Sequence, residues 1–166
     1  MTLRGGDLRA SEKTYQILYQ VAGRAGRSDS IGKVFLQTYF PKNETILSLT
    51  QMERDNFYLN EINSRNESSL PPIGKMAALI VSGNNNEEVR KQCLILSNKI
   101  PLIKDLEIYG PAPAPLSRLK GRFRQRFLVH DKKARNMQKI VNAWLSNSKT
   151  KLKVNISVDI DPYTFV

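Results

Sequence analysis

Gln20, Gly23, Arg24, Gly26 and Arg27 stand in the order Q-x-x-G-R-x-G-R within QILYQVAGRAGRSDSIGKV (Gln16 to Val34). Five fixed residues at fixed spacing arise by chance in such a chain on the order of once in 10⁴, given ordinary residue frequencies. The types suit phosphate chemistry. A helix can end here, glycines let the backbone turn tightly, and two guanidiniums then project from a short loop. Such arginines can neutralise charge developing on a transferred γ-phosphoryl group. Lysine would serve less well, because a planar fork grips phosphate oxygens in pairs. The plainer alternative is a basic turn that ends a helix.

The nearby Gly32-Lys33 does not make a phosphate-cradling loop. That loop needs G-x-x-x-x-G-K-[ST], opening a helix after a strand. Arg27 stands where the first glycine belongs, and Val34 replaces the hydroxyl residue. The expected order, a helix before and a strand after, is also reversed.

A second constellation is RLKGRFRQRF (Arg118 to Phe127). In a strand, alternate side chains share a face, so Arg122, Arg124 and Arg126 would form a row at intervals of about 6.6 Å. Phe123 and Phe127 would turn to the core, with Gln125 an anomaly between them. Together with Arg118 and Lys120, the row suits a run of phosphates, giving affinity without sequence choice. A solvated strand face is the alternative.

The charge distribution favours the polyanion. The net charge is +11. Residues 1 to 70 carry nine Lys/Arg against eight Asp/Glu, whereas residues 71 to 166 carry seventeen against seven. The densest stretch, Arg118 to Lys139, has nine basic residues and one acid, Asp131. A one-sided basic field points to nucleic acid before other partners. The single cysteine, Cys93, excludes an internal disulfide framework and a cysteine-based zinc site, and it reads as a small buried apolar residue. No apolar run approaches a membrane span, and the expected setting is cytoplasmic.

The elements that must hold these residues fall into two halves, joined by a polar linker, NSRNESSLPP (Asn63 to Pro72). In the first, Ser11 can cap a helix from about Glu12 to Ala22, with Tyr15, Leu18, Tyr19 and Ala22 on one face. Gly32 to Phe40 reads as a strand, and Asn43 to Glu61 as a helix whose apolar residues Ile46, Leu49, Phe57 and Ile62 are uneven in phase. In the second, Met76 to Val81 reads as a strand, Glu87 to Asn98 as a helix, Leu106 to Tyr109 as a short strand ended by GPAPAP, and Arg122 to Val129 as a strand. Asp131 can cap a last helix with Met137, Ile140, Val141, Trp144 and Leu145 as its stripe, which makes Trp144 core rather than a base-stacking platform. A final strand places Val154, Ile156, Val158 and Ile160 inward and Asn155, Ser157 and Asp159 outward. The order is βαββαβ, a split βαβ arrangement of the ferredoxin-like type. His130 is expected to end a strand at the surface, and Asp161-Pro162 to form a turn.

Q-x-x-G-R-x-G-R resembles the sixth motif of superfamily-two helicases, which lies in their second RecA-like lobe. DLRASEKTYQILYQVAGRAGR (Asp7 to Arg27), GKVFLQTYFP, Leu70-Pro71-Pro72, YGPAPAPLSRLKGRFRQRFLV (Tyr109 to Val129) and VDIDP (Val158 to Pro162) narrow this. In order, over essentially the whole chain, they resemble the primosomal replication-restart helicases, the primosomal protein N′ family. Lys13 departs from the family's usual arginine. The resemblance implies an α/β chain with two parts: a remnant of the RecA-like second lobe (1–65), of doubtful stability alone, and a βαββαβ C-terminal DNA-binding domain (71–166). The family's N-terminal DNA-binding domain, first lobe with phosphate loop and Mg²⁺ motif, and cysteine-rich zinc region have no counterpart in this sequence.

By resemblance, Arg24 and Arg27 would reach ATP held mainly by the first lobe, with Gln20 coupling that contact to lobe movement. ATP and Mg²⁺ would belong to the complete family protein, no metal or nucleotide to this chain, and the chain alone is expected to be inactive as an ATPase. The implied partners are single-stranded and forked DNA, the single-stranded-DNA-binding protein and other primosome proteins, with no membrane. A rival reading remains: βαββαβ with KGRF on its third strand also resembles an RNA-recognition motif, although Lys75 to Gly83 lacks the exposed aromatic that module needs.

Overall fold

The computed structural model of the chain describes residues 8–25 and 32–162. The chain divides into two compact units, Met1–Ser64 and Arg65–Val166.

The first unit is helical among its described residues, with α1 (Ala10–Ala22), α2 (Glu44–Thr50) and the start of α3 (Arg54–Glu67). Its small core is centred on Tyr15, whose ring stacks on Phe57 with centroids 4.2 Å apart and planes 6° apart, and Ile46 is also buried. Three expectations change here. Ser11 is not the cap of α1: the helix starts earlier, at Ala10, and Arg9 in the capping position binds Glu12 through an ion pair of 2.8 Å. The single helix expected from Asn43 to Glu61 is broken, because Met52 takes a left-handed φ of 56° between α2 and α3. That break explains the uneven phase of Ile46 and Phe57, which belong to different helices. Gly32 to Phe40 forms no strand. A strand needs neighbouring N–H and C=O groups, and the described residues of this unit supply no partner strand. The β-prone side chains are therefore left outside, with Phe35 92% and Tyr39 98% exposed.

The expected linker is also structured. α3 runs to Glu67, and the turn after it is tied down by Leu70 N–H donating to the Arg65 carbonyl (2.8 Å) and by the Arg65 guanidinium donating to the Pro71 carbonyl (3.1 Å).

The second unit carries β1 (Lys75–Gly83), α4 (Asn86–Ser97), β2 (Leu106–Leu119), β3 (Arg122–Asp131), α5 (Met137–Asn147) and β4 (Asn155–Ile160). Its four strands form one antiparallel sheet in the order β2-β3-β1-β4, so the βαββαβ sequence order holds. Period-two alternation turns Ala77, Leu79 and Val81 of β1 and Phe127 and Val129 of β3 toward the helices. Against them pack Val89, Cys93 and Leu96 of α4 and Met137, Val141 and Trp144 of α5. Trp144 is core, as its place in the stripe implied. Its Nε1–H donates to the Leu96 carbonyl (3.0 Å), and its ring meets Phe127 edge-on at 5.5 Å. Burial pushes the Cys93 thiol up to about 11.

Asp131 does not cap α5. Asn136, next to the helix, accepts from Lys139 N–H instead. Asp131 lies too far upstream and is fully buried, accepting from the backbone N–H groups of Lys133 (3.1 Å) and Arg135 (2.8 Å) and pairing with the Arg135 guanidinium at 3.2 Å. In β4 the alternation holds, but as an edge strand it buries its inward side chains only in part, and Val158 stays 38% exposed.

β2 departs most from expectation. GPAPAP does not end the strand at Tyr109; pairing with β3 resumes and continues to Leu119 across two register shifts. Prolines give no ladder N–H, so they are tolerated because β2 is the outer strand. The first shift turns on Gly110, whose φ is 113° and where a Cβ would lie 2.6 Å from the Arg126 carbonyl oxygen. β2 and β3 are joined by Lys120 (φ 48°) and Gly121 (φ 79°), a two-residue turn with both residues left-handed, which matches strand twist.

These contacts set two tests. Gly110→Ala should cost more than about 2 kcal/mol in urea unfolding, since strain and backbone overlap coincide there. Gly121→Ala, with nothing within 4 Å of the new Cβ, should cost only about 1 kcal/mol. Separately, Cys93 should resist alkylation at pH 8 in the folded chain and react once the chain is denatured.

Candidate nucleic-acid interface

The helix-end motif lies in the first unit. Gln20 is exposed on the last turn of α1, and Arg24 is exposed in the turn that follows. Gly23 closes α1 with its N–H on the Tyr19 carbonyl at 2.9 Å. Its φ of −63° is right-handed, so the turn at this position does not itself require glycine. Gly26 and Arg27 lie outside the described residues.

The second constellation is assembled by β3. Phe127 faces the helices and is fully buried, and Phe123 packs at the edge of the same core. The alternate residues Arg122, Arg124 and Arg126 therefore share the opposite face and are each partly exposed. Gln125, opposite Val81 and Pro113, remains the odd polar residue of the core face. Across the arginine face, Arg126 stands between Ala112 of β2 and Ile80 of β1, and Ser82 lies beside Arg124. The Arg122 guanidinium donates to the Ser82 carbonyl (3.3 Å) and that of Arg124 to the Leu116 carbonyl (3.2 Å). Neutral oxygens steady these side chains without cancelling their charge.

Not all five basic residues meet. The second register shift leaves Leu119 opposite Arg122 and Arg118 opposite Phe123. Arg118 thus shares the face of Phe123, with its guanidinium 5.2 Å above that ring, a cation–π contact. Lys120 is exposed at the hairpin tip, at the end of the row.

The other end of the same face holds a polar cluster that the sequence reading missed. Glu107 pairs with His130 in the ladder, and Tyr109 with Leu128. The Glu107 carboxylate accepts from Lys132 Nζ and from the Tyr109 hydroxyl. These bonds, Lys132 first, hold the Glu107 carboxyl below its ordinary value, while the same carboxylate pushes the Tyr109 hydroxyl up. His130 is not at the surface. It is buried, and its Nε2–H donates to the Ser69 carbonyl (2.8 Å), which can only accept; Nδ1 lies 3.7 Å from Glu107. The only signal for this cluster was the i, i+2 placement of Glu107 and Tyr109, which the reading of GPAPAP as a strand end cut short.

Asp161 lies in the bend after β4, as expected, and its side chain is engaged. It pairs with Lys75 at 2.7 Å and accepts from Met76 N–H at 3.0 Å. Among the described residues no group of three His, Cys, Asp or Glu side chains could hold a metal ion, and no helix is long and apolar enough to cross a membrane.

The sheet, the two helices behind it and the basic row in front define an α/β domain suited to a polyanion. Residues 66–163 match the family model described as the primosomal protein N C-terminal domain. The replication restart protein PriA of Rickettsia prowazekii is 40% identical over 162 residues, covering 96% of this chain and 24% of that protein. The PriA of Rickettsia felis is 38% identical over 159 residues, with the same coverages. The PriA of Bacillus subtilis is 34% identical over 170 residues, covering 98% of this chain and 21% of that protein. The chain belongs to the primosomal protein N family and matches its C-terminal portion. It spans about a quarter of the length of the first two relatives.

A carboxylate whose folded value is depressed adds stability above its unfolded pKa and loses it as pH falls through the folded one. An NMR titration should accordingly place Glu107 below the ordinary Glu value of about 4.3. Lys132→Ala should move it back toward that value, and an unmoved titration would contradict the assigned order of causes.

Proposed function

We propose that this chain acts as the C-terminal part of a replication-restart DNA helicase, and that its second unit, a ferredoxin-like domain, binds DNA through the backbone. The observation that carries this reading is the row Arg122, Arg124 and Arg126 on the sheet face away from the helices, in the half of the chain that holds nearly all of the excess positive charge. Three guanidiniums at strand spacing meet phosphates without reading bases. Lys120 extends the row at the hairpin tip. Arg118 contributes long-range field rather than direct contact, because its face is that of Phe123.

In this reading the first unit is the remnant of a RecA-like lobe. Arg24 and Arg27 are arginine fingers, Gln20 couples them to movement, and Gly26 rather than Gly23 gives their loop its freedom to turn. ATP and Mg²⁺ are held by a first lobe that this sequence does not contain. Arginines of this kind stabilise charge on a phosphoryl group that other residues bind, so the chain alone should not hydrolyse ATP. Single-stranded and forked DNA, the single-stranded-DNA-binding protein and other primosome proteins are the partners this assignment entails. The RNA-recognition alternative loses support, because β1 offers Met76, Ala78, Ile80 and Ser82 to the arginine face and no aromatic.

The test is a salt titration of single-stranded DNA binding. Replacing Arg122, Arg124 and Arg126 together by alanine should weaken binding and reduce the slope of log affinity against log salt by about 2, at about 0.7 per lost phosphate contact. An unchanged slope would falsify the assignment of the row. DNA-stimulated ATP hydrolysis by the chain, lost on Arg24→Ala, would overturn the division of labour between lobes.

A further inference from the structure

The arginine row recognises phosphates, which single strands and duplexes share. What distinguishes the two is the face of a base, hidden in a duplex and available in a single strand. The aromatic side chains of the four strands are Tyr109, Phe123 and Phe127. Phe127 is fully buried among the helices, and Phe123 packs against the same core beneath Arg118. Tyr109 alone faces the other way. It pairs with Leu128, two residues along β3 from Arg126 and on the arginine face, and it is 53% exposed. Diagonal neighbours across an antiparallel pair are about 7–8 Å apart, within reach of long side chains. The ring thus continues the line of the row at the end opposite Lys120.

Its surroundings hold it in place. The hydroxyl donates to Glu107, whose charge is balanced by Lys132. The next residue is Gly110, where the backbone passes so close to Arg126 that no side chain fits. A ring fixed in advance loses little freedom when a base lies on it.

We propose that Tyr109 is a base-stacking platform at the end of the arginine row, so that this face prefers a single strand with an unstacked base to a duplex. The proposal rests on the phosphate-binding role of Arg122, Arg124 and Arg126.

The experiment measures binding of the full chain to an oligothymidine and to a blunt duplex of the same length, across a range of salt concentrations. Tyr109→Ala should weaken single-strand binding about five- to a hundredfold, leave its salt slope unchanged and leave duplex binding unaltered. Tyr109→Phe should restore most of the single-strand affinity, whereas Tyr109→Leu should not. An equal loss on both ligands, or full affinity with leucine, would overturn the stacking role. If the triple arginine variant weakens binding and Tyr109→Ala does not, only the stacking role falls. If neither has an effect, the reading of the whole face falls with it.

Discussion

The burial of Phe127 against Trp144 fixes the phase of β3, and the basic face follows from it. The two rings meet edge-on at 5.5 Å in the middle of the core. Side chains alternate strictly along a strand, so a slip of one residue would turn the row formed by Arg122, Arg124 and Arg126 toward the helices. Burying even one unpaired guanidinium costs several kcal/mol, and three would exceed the stability of most small domains. Hydrophobic burial on one face therefore decides where the charge goes on the other. Val129 and Phe123 reinforce the same phase from either side of Phe127.

The outer strand then settles which basic residues join the row. β3 is regular from Phe123 to Asp131 where it pairs with β1, but β2 carries extra residues at two places. The first, at Gly110, leaves Tyr109 opposite Leu128 and Ala112 opposite Arg126. The second, between Pro113 and Arg118, sets the parity of the hairpin end, placing Arg118 over Phe123 and Leu119 beside Arg122. Five basic residues at alternate positions in the sequence thus do not all share one face. Such irregularities can accumulate on β2 because, among the described strands, it pairs with β3 alone.

Most of the second unit was legible because its elements report burial through periodicity. The stripe on α5, the apolar run of β1 and the alternation of β4 each matched one template, and the βαββαβ order followed. What was not legible depended on partners distant in sequence. GPAPAP looks like a strand end to any local reading; it continues only because β3 offers pairing groups beyond the bulge. Asp131 looks like a cap because it is an acid before a helix, yet Asn136 is nearer. His130 looked like surface because nothing near it in sequence announces the Ser69 carbonyl. In the first unit the reverse error occurred: Gly32 to Phe40 has the composition of a strand, but composition cannot supply a neighbour to pair with.

The two candidate sites differ in how much of their chemistry this sequence contains. Binding a polyanion needs positive charge held on a stable surface. The β3 row has this, since β3 lies between β2 and β1 in the sheet and the guanidiniums of Arg122 and Arg124 donate to the carbonyls of Ser82 and Leu116. Stabilising a phosphoryl group in transfer needs more: a cradle for the other phosphates, a metal and a positioned nucleophile. The helix-end motif offers arginines alone, with Gln20 and Arg24 exposed at the end of α1. If a nucleotide were bound beside it, as the proposed function requires, an arginine there would act far more strongly in a desolvated cleft than in water. On the proposed reading, the β3 row carries what polyanion binding needs on one sheet face, whereas the helix-end motif would need a nucleotide held elsewhere.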